Sequence, residues 1–212
     1  MQNNKPVIII GAGNHAKVIL DILLENGANV IGLVDKNVSK NTFIYEIPVL
    51  GDDEEVFKYN PNDIYLANGI GSTGDLTLRK KVYDFFKEKG YIFTSIVHSF
   101  THISKRSHLT EGVQILPGVV INNDVNIGTN TIINSNSTIE HGCIIGNNVH
   151  IAPGCTLCGD VSVGDETHVG TGSSIIQGIN IGKRVLIGAG SVVIRNIENN
   201  SKVYGVPAKI YE

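Results

Sequence analysis

Residues 139–157 read IEHGCIIGNNVHIAPGCTL, and Ile139, Ile145, Ile151 and Leu157 fall on every sixth position. The same register runs backwards through Ile133, Ile127, Ile121, Ile115, Leu109 and Ile103. It runs forwards through Val163, Val169, Ile175, Ile181, Ile187 and Val193, so sixteen apolar residues follow one another without a miss. Four residues after each stands a small or β-branched side chain, from Ser107, Val113 and Val119 to Val185, Ser191 and Ile197. No heptad or 3.6-residue period fits. Six residues make one flat face of a triangular coil, and three hexapeptides make a turn, which predicts a parallel β-helix of the left-handed hexapeptide type. Its strands would stack at ~4.8 Å, so residues eighteen apart lie directly above one another.

Residues 1–100 follow a different grammar. Pro6 to Ile10 is a continuous apolar strand, followed by Gly11-Ala12-Gly13-Asn14-His15-Ala16. A helix then carries Val18, Ile19, Ile22 and Leu23 on one face and stops at Gly27, and Val30 to Val34 is a second strand closed by Asp35. This is a βαβ unit, the right-handed crossover of a parallel sheet. Ile64 to Asn68 reads as another strand before the turn Gly69-Ile70-Gly71-Ser72. Leu76 to Lys89 reads as a helix presenting Leu78, Val82, Phe85 and Phe86, and Ile92 to Val97 as a last short strand. The organisation is therefore an α/β, Rossmann-like front domain (1–100), a β-helix (101–197) and a C-terminal tail (198–212).

Composition narrows the function classes. With 42% hydrophobic and 17% charged residues the chain is globular, and no apolar run approaches the ~18 residues of a membrane span. The opening MQNNKPVIII reads as a buried first strand, since a signal peptide would continue its apolar core to a cleavage site. A net charge of −3 and a pI near 6.2 provide no basic field, which argues against a nucleic-acid partner. Three cysteines, Cys143, Cys155 and Cys158, without a secretion signal point to reduced thiols and a cytoplasmic location. Cys155 and Cys158 form a C-x-x-C, but the hexad register turns Cys155 inward and Cys158 outward. No second pair accompanies them, so no metal is expected.

Taken in order, the glycine-rich βαβ unit, the hexapeptide run with Ile139-Glu140-His141 and the tail Gly205-Val206-Pro207-Ala208-Lys209 resemble one family along nearly the whole chain. These are bacterial hexapeptide-repeat acetyltransferases acting on nucleotide-activated amino sugars, such as the bacillosamine-pathway and perosamine N-acetyltransferases. Enzymes classed as sialic acid O-acetyltransferases share the layout. The resemblance implies acetyl-CoA as donor, a homotrimer, and an active site between neighbouring subunits.

Acetyl transfer from a thioester to an amine needs a base, a donor to the oxyanion and a channel for the donor's long arm. His141 is the candidate base, because imidazole titrates near neutrality; a surface histidine decorating a coil is the bland alternative. Gly159 stacks over His141, and by resemblance its N–H is the oxyanion donor. Pro153, Thr171 and Ala189 form a column that by resemblance lines the pantetheine channel, and His150 matches the family position at the acetyl end of the coenzyme. His168 stacks over His150. Many relatives carry Asp or Glu directly after the histidine, where this chain has Gly142, so orientation of His141 falls to Glu140, Asn134 or a backbone carbonyl.

Gly11-x-Gly13-x-x-Ala16 with Asp35 some twenty residues on fits the dinucleotide fingerprint, although the small sheet lacks the length of a full dinucleotide fold. A glycine turn opening a helix still presents N–H groups to an anion. By resemblance Gly13, Asn14 and His15 lie near sugar and phosphates, Asp35 and Lys36 near the nucleoside, and Gly71 and Ser72 on the other side. The reading is N-acetylation of a nucleotide-linked 4-amino-4,6-dideoxy sugar. The alternatives are O-acetylation of sialic acid or a related nonulosonic acid, a non-catalytic nucleotide-binding scaffold, and a nicotinamide-dependent oxidoreductase.

Overall fold

The unbroken apolar run after Pro6 forms β1 (Val7–Ile10), whose four side chains are all buried, as a strand covered on both faces requires. The computed structural model describes residues 5–72 and 74–211; the first four residues of the opening strand reading lie outside them. The chain divides into two units, one built on residues up to Gly71 and on Thr77–Ile96, the other on Ser72–Leu76 and residues from Val97 onward.

In the first unit β1 is followed by α1 (Asn14–Glu25), β2 (Val30–Val34), the hairpin β3 (Phe43–Ile44) and β4 (Ile47–Gly51), β5 (Tyr65–Asn68) and α2 (Thr77–Glu88). The strand order is β3-β4-β2-β1-β5, with β2 and β5 both parallel to β1. The path runs outward from β1 to β4 and returns to β5 on the other side. The loops after β2, β1 and β5 therefore meet at one edge, where α/β sheets bind ligands. The hairpin and the 3-10 turn at Asp53–Lys58 were not foreseen.

The first helix buries three of the four residues expected on its face, whereas the second is turned relative to the expectation. α1 buries Ala16, Ile19, Leu20, Ile22 and Leu23, while Val18 is exposed. α2 buries Arg79, Tyr83 and Phe86, leaving Leu78 and Phe85 exposed. Tyr83 stacks on Phe93 at 4.8 Å, and Phe86 packs on Tyr91. Phe93 meets Leu66 in a single bridge, so the last strand shrinks to Ile96–Val97.

In the second unit each of the sixteen hexads becomes a two-residue strand ending on its apolar residue, from His102–Ile103 to Val192–Val193. Strands eighteen residues apart pair in parallel, for example Ile132–Ile133 with His150–Ile151 and His150–Ile151 with His168–Val169. The result is a coil of three sheets around a dry core of Ile, Val, Leu and Cys. The small companion positions lie inside as well. Several that carry a hydroxyl reach the next coil's corner, as Ser137 does to the Ala152 carbonyl (2.9 Å) and Thr167 to the Gly182 carbonyl (2.8 Å).

The corners impose a second rule. The third residue after each hexad position, from Gly112 to Gly190, has φ between +52° and +75° in every coil. Only Gly, Asn and Asp accept that conformation at little cost, and they hold all but two of these positions, Glu166 and Arg184. After Val193 the period lapses. Lys202–Tyr204 still adds to one sheet in parallel, and Lys209–Ile210 then pairs with it antiparallel.

Candidate active site

His141 stands on the corner that follows strand Thr138–Ile139 and is exposed. Its ring lies against Gly159 one coil up: a Cβ there would come within 2.5 Å of Cε1 and 2.7 Å of Nε2. The absence of a side chain at 159 is what lets the imidazole lie flat on the backbone. The Gly159 N–H meets no acceptor among the described residues, while its carbonyl accepts from Gly178 (2.9 Å). Gly142 occupies the positive-φ corner position at φ +70°, and any Cβ there would collide with the Asp160 carboxylate stacked one coil up, which explains the glycine.

His150 is buried on the preceding corner's side of the coil, and both ring nitrogens are engaged. Nδ1 lies 2.6 Å from Ser72 Oγ, and Nε2 lies 3.1 Å from Asn134 Nδ2. The Asn134 carbonyl oxygen accepts the Ser135 N–H (2.8 Å), which fixes the amide with its NH2 toward the ring. Nε2 must then accept, so the ring proton sits on Nδ1 and is donated to Ser72, a tautomer assigned from the network. His168 stacks edge-on to His150 at 4.9 Å. Its Nδ1 is buried without a partner among the described residues, and burial lowers its pKa. Ser72, Asn134, His150, His168, Thr171 and Ala189 line a cavity of about 460 Å³, with Pro153 at its edge. A groove of about 510 Å³ elsewhere on the coil holds no histidine, and its Lys183 is already paired with Asp165 at 2.8 Å.

Two expected partners of His141 are engaged otherwise. Glu140 accepts from the Asn122 side chain (2.7 Å), and Asn134 stands on the preceding corner, facing His150. Within one chain, the neighbour seen beside the His141 ring is the Gly159 backbone. Sequence reasoning missed both bonds of His150: Asn134 reaches it diagonally, sixteen residues away and outside the eighteen-residue stacking rule, and Ser72 comes from a segment seventy-eight residues distant in sequence.

Residues 6–86 match the PglD N-terminal domain family, and residues 124–159 match the bacterial transferase hexapeptide family (six repeats). Among solved structures the chain is similar to a perosamine N-acetyltransferase from Caulobacter crescentus in complex with CoA and GDP-perosamine. That likeness has 35% identity, 98% coverage of this chain, 97% of that one and a TM-score of 0.90. A variant of that enzyme with a histidine replaced by Asn, with the same two ligands, is similar at 34% identity, the same coverage and a TM-score of 0.91. The chain belongs to this acetyltransferase family. The acetyltransferase domain of PglB from Neisseria gonorrhoeae shares the fold at 24% identity, covering 99% of this chain and 100% of that one, with a TM-score of 0.90. The left-handed β-helix and the Rossmann-like front domain are thus those of the nucleotide-sugar acetyltransferases.

In the first unit of this acetyltransferase, Gly13 caps α1 with extended backbone and no side-chain hydrogen bond, and the helix's first turn holds no acid. Asp35 spends its carboxylate on backbone, accepting Ala12 N–H and Asn37 N–H at 2.9 Å each. It pins the glycine turn, whereas Lys36 beside it is exposed. Nearby, burial and the negative charges of Asp35 and Asp52 push the Asp53 carboxyl above its usual range. Gly71 packs on His15 so closely that a Cβ would lie 3.0 Å from the histidine's own. Ser72 clusters with the coil.

None of the three thiols lines the His150 cavity. Cys143 and Cys155 are buried, with burial pushing Cys143 up to about 11, and Cys158 is half-buried. No group of three or more metal-ligating side chains occurs among the described residues. No helix among them is long and apolar enough to cross a membrane.

Proposed function

We propose that this acetyltransferase moves an acetyl group from acetyl-CoA to the amine of a nucleotide-linked 4-amino-4,6-dideoxy sugar. The observation that carries the reading is the 35% identity, over 98% of the chain, to an enzyme holding CoA and GDP-perosamine together. The amine nitrogen attacks the thioester carbon, and the carbonyl oxygen becomes an oxyanion to which the open Gly159 N–H donates. His141 takes the proton released by the amine, the C–S bond breaks, and the thiolate of CoA leaves and is protonated. Thr171, Ala189 and Pro153 flank the donor's arm, and His150, hydrogen-bonded to Ser72 and Asn134, lies at its acetyl end.

The working unit is a trimer in the cytoplasm. Support for the trimer is geometric: His141 and the His150 cavity occupy successive corners of one coil, so a neighbouring copy has to bring them together. The test is thiol release from acetyl-CoA with UDP-, dTDP- and GDP-linked 4-amino sugars, followed by mild base. An amide product survives base, whereas an O-acetyl ester is cleaved and would move the chain to acid-sugar O-acetylation. No turnover with any of the amino sugars removes the reading.

A further inference from the structure

Arg79 is the largest fully buried side chain among the described residues, at 1% exposure. Burying a guanidinium is costly unless its donors are used. Its Nη1 donates to two carbonyls of the turn after β5, those of Asn68 (3.1 Å) and Ile70 (2.7 Å). Asn68 returns the contact through Nδ2 to the Arg79 carbonyl (3.1 Å) and accepts the Ile70 N–H on Oδ1 (3.1 Å). The turn is thereby tied at four points to itself and to the start of α2. Burial lowers the Arg79 pKa only to about 9, so the group stays charged at neutral pH.

The direction of these bonds matters. A trans peptide holds its C=O and the next N–H antiparallel. The Asn68 carbonyl points to Arg79, and the Gly69 N–H accordingly points the other way, to the Ile10 carbonyl at 2.8 Å. By the same rule the Ile70 carbonyl directs the Gly71 N–H away from Arg79. That N–H meets no acceptor among the described residues, and Gly71 lies against His15. A charged donor on a carbonyl also polarises its peptide and strengthens the N–H at the other end. The turn is seated too tightly to drift: Ile70 Cδ1 lies 2.8 Å from where a Cβ of Gly11 would be, and a Cβ on Gly69 would meet Ala16 at 2.8 Å.

We propose that Arg79 is a positioning residue of the nucleotide-sugar site, aiming and polarising the Gly71 N–H beside His15 as a donor to the acceptor's diphosphate. This rests on the function proposed above and adds a residue that never touches substrate. The experiment compares full-length R79M and R79K with wild type, using calorimetric binding of GDP-perosamine and the KM for acetyl-CoA, with melting curves recorded for each. R79M should bind GDP-perosamine at least tenfold more weakly, with the acetyl-CoA KM within twofold of wild type. R79K, whose ammonium can still donate to the carbonyls, should recover to within threefold. Unchanged sugar-nucleotide affinity in R79M, or parallel loss toward both substrates, overturns the proposal. If R79M does not fold, N68S carries the test: a threefold or greater loss confined to GDP-perosamine supports the assignment, and no loss or a shared loss sinks it. Failure of the wild-type enzyme to acetylate any of the UDP-, dTDP- or GDP-linked amino sugars would instead strike the proposed function, since binding is read separately from turnover.

Discussion

His141 and Gly159 form a matched pair in which the missing side chain of one makes room for the ring of the other. G159A forces a methyl group into the imidazole, and displacement of a catalytic group by about 1 Å can cost about a hundredfold in rate. G159A should therefore lose turnover nearly as fully as H141A, for which a drop of about a hundredfold or more is expected. Steady-state kinetics check both, and acetyl-CoA binding should survive in each. N134A tests the tautomer. Without the amide, nothing fixes the proton on Nδ1 of His150, so kcat/KM for acetyl-CoA should fall while far-UV circular dichroism stays unchanged. The candidate base was legible in the sequence because a histidine in hexad register has a defined direction. The true partners of Asn134 and Glu140 were not, because side chains on successive corners choose neighbours by reach rather than by spacing.

At the scale of the element, the coil was readable nearly to the residue, since each buried position repeats under the same constraint. A vacancy there has no alternative packing. I151A should cost about 2–4 kcal/mol, read from denaturant unfolding at fixed protein concentration. His168 gives the coil a pH dependence whose sign follows from burial. Its folded pKa lies below 6.5, so as pH falls below that value the unfolded chain takes up a proton the folded chain refuses, and stability drops. H168Q should flatten the decline in denaturation midpoint on the acid side of pH 6.5 without changing it above. The two helices were less legible. In α2 it is Arg79, bonded to the turn at Asn68–Ile70, that lies inside, while Leu78 and Phe85 stay in solvent. A long polar side chain reads as surface until its carbonyl partners are known.

For the whole molecule, assembly is the decisive variable. Sedimentation should give three times the 22.8 kDa chain, about 68 kDa, and specific activity should fall on dilution below the association range if neighbouring copies share the site. A mixture of H141A chains with chains altered at His150 should regain activity that neither has alone, because some mixed interfaces then pair an intact base with an intact cavity. A coil of this kind also has an open rim, where the last rung's unpaired amides invite another molecule to continue the ladder. The antiparallel return of Lys209–Ile210 onto Lys202–Tyr204 occupies part of that rim with a strand running the wrong way for further parallel growth. Removing residues after Asn200 would turn a closed particle into a template, and the expected result is end-to-end filaments visible by electron microscopy.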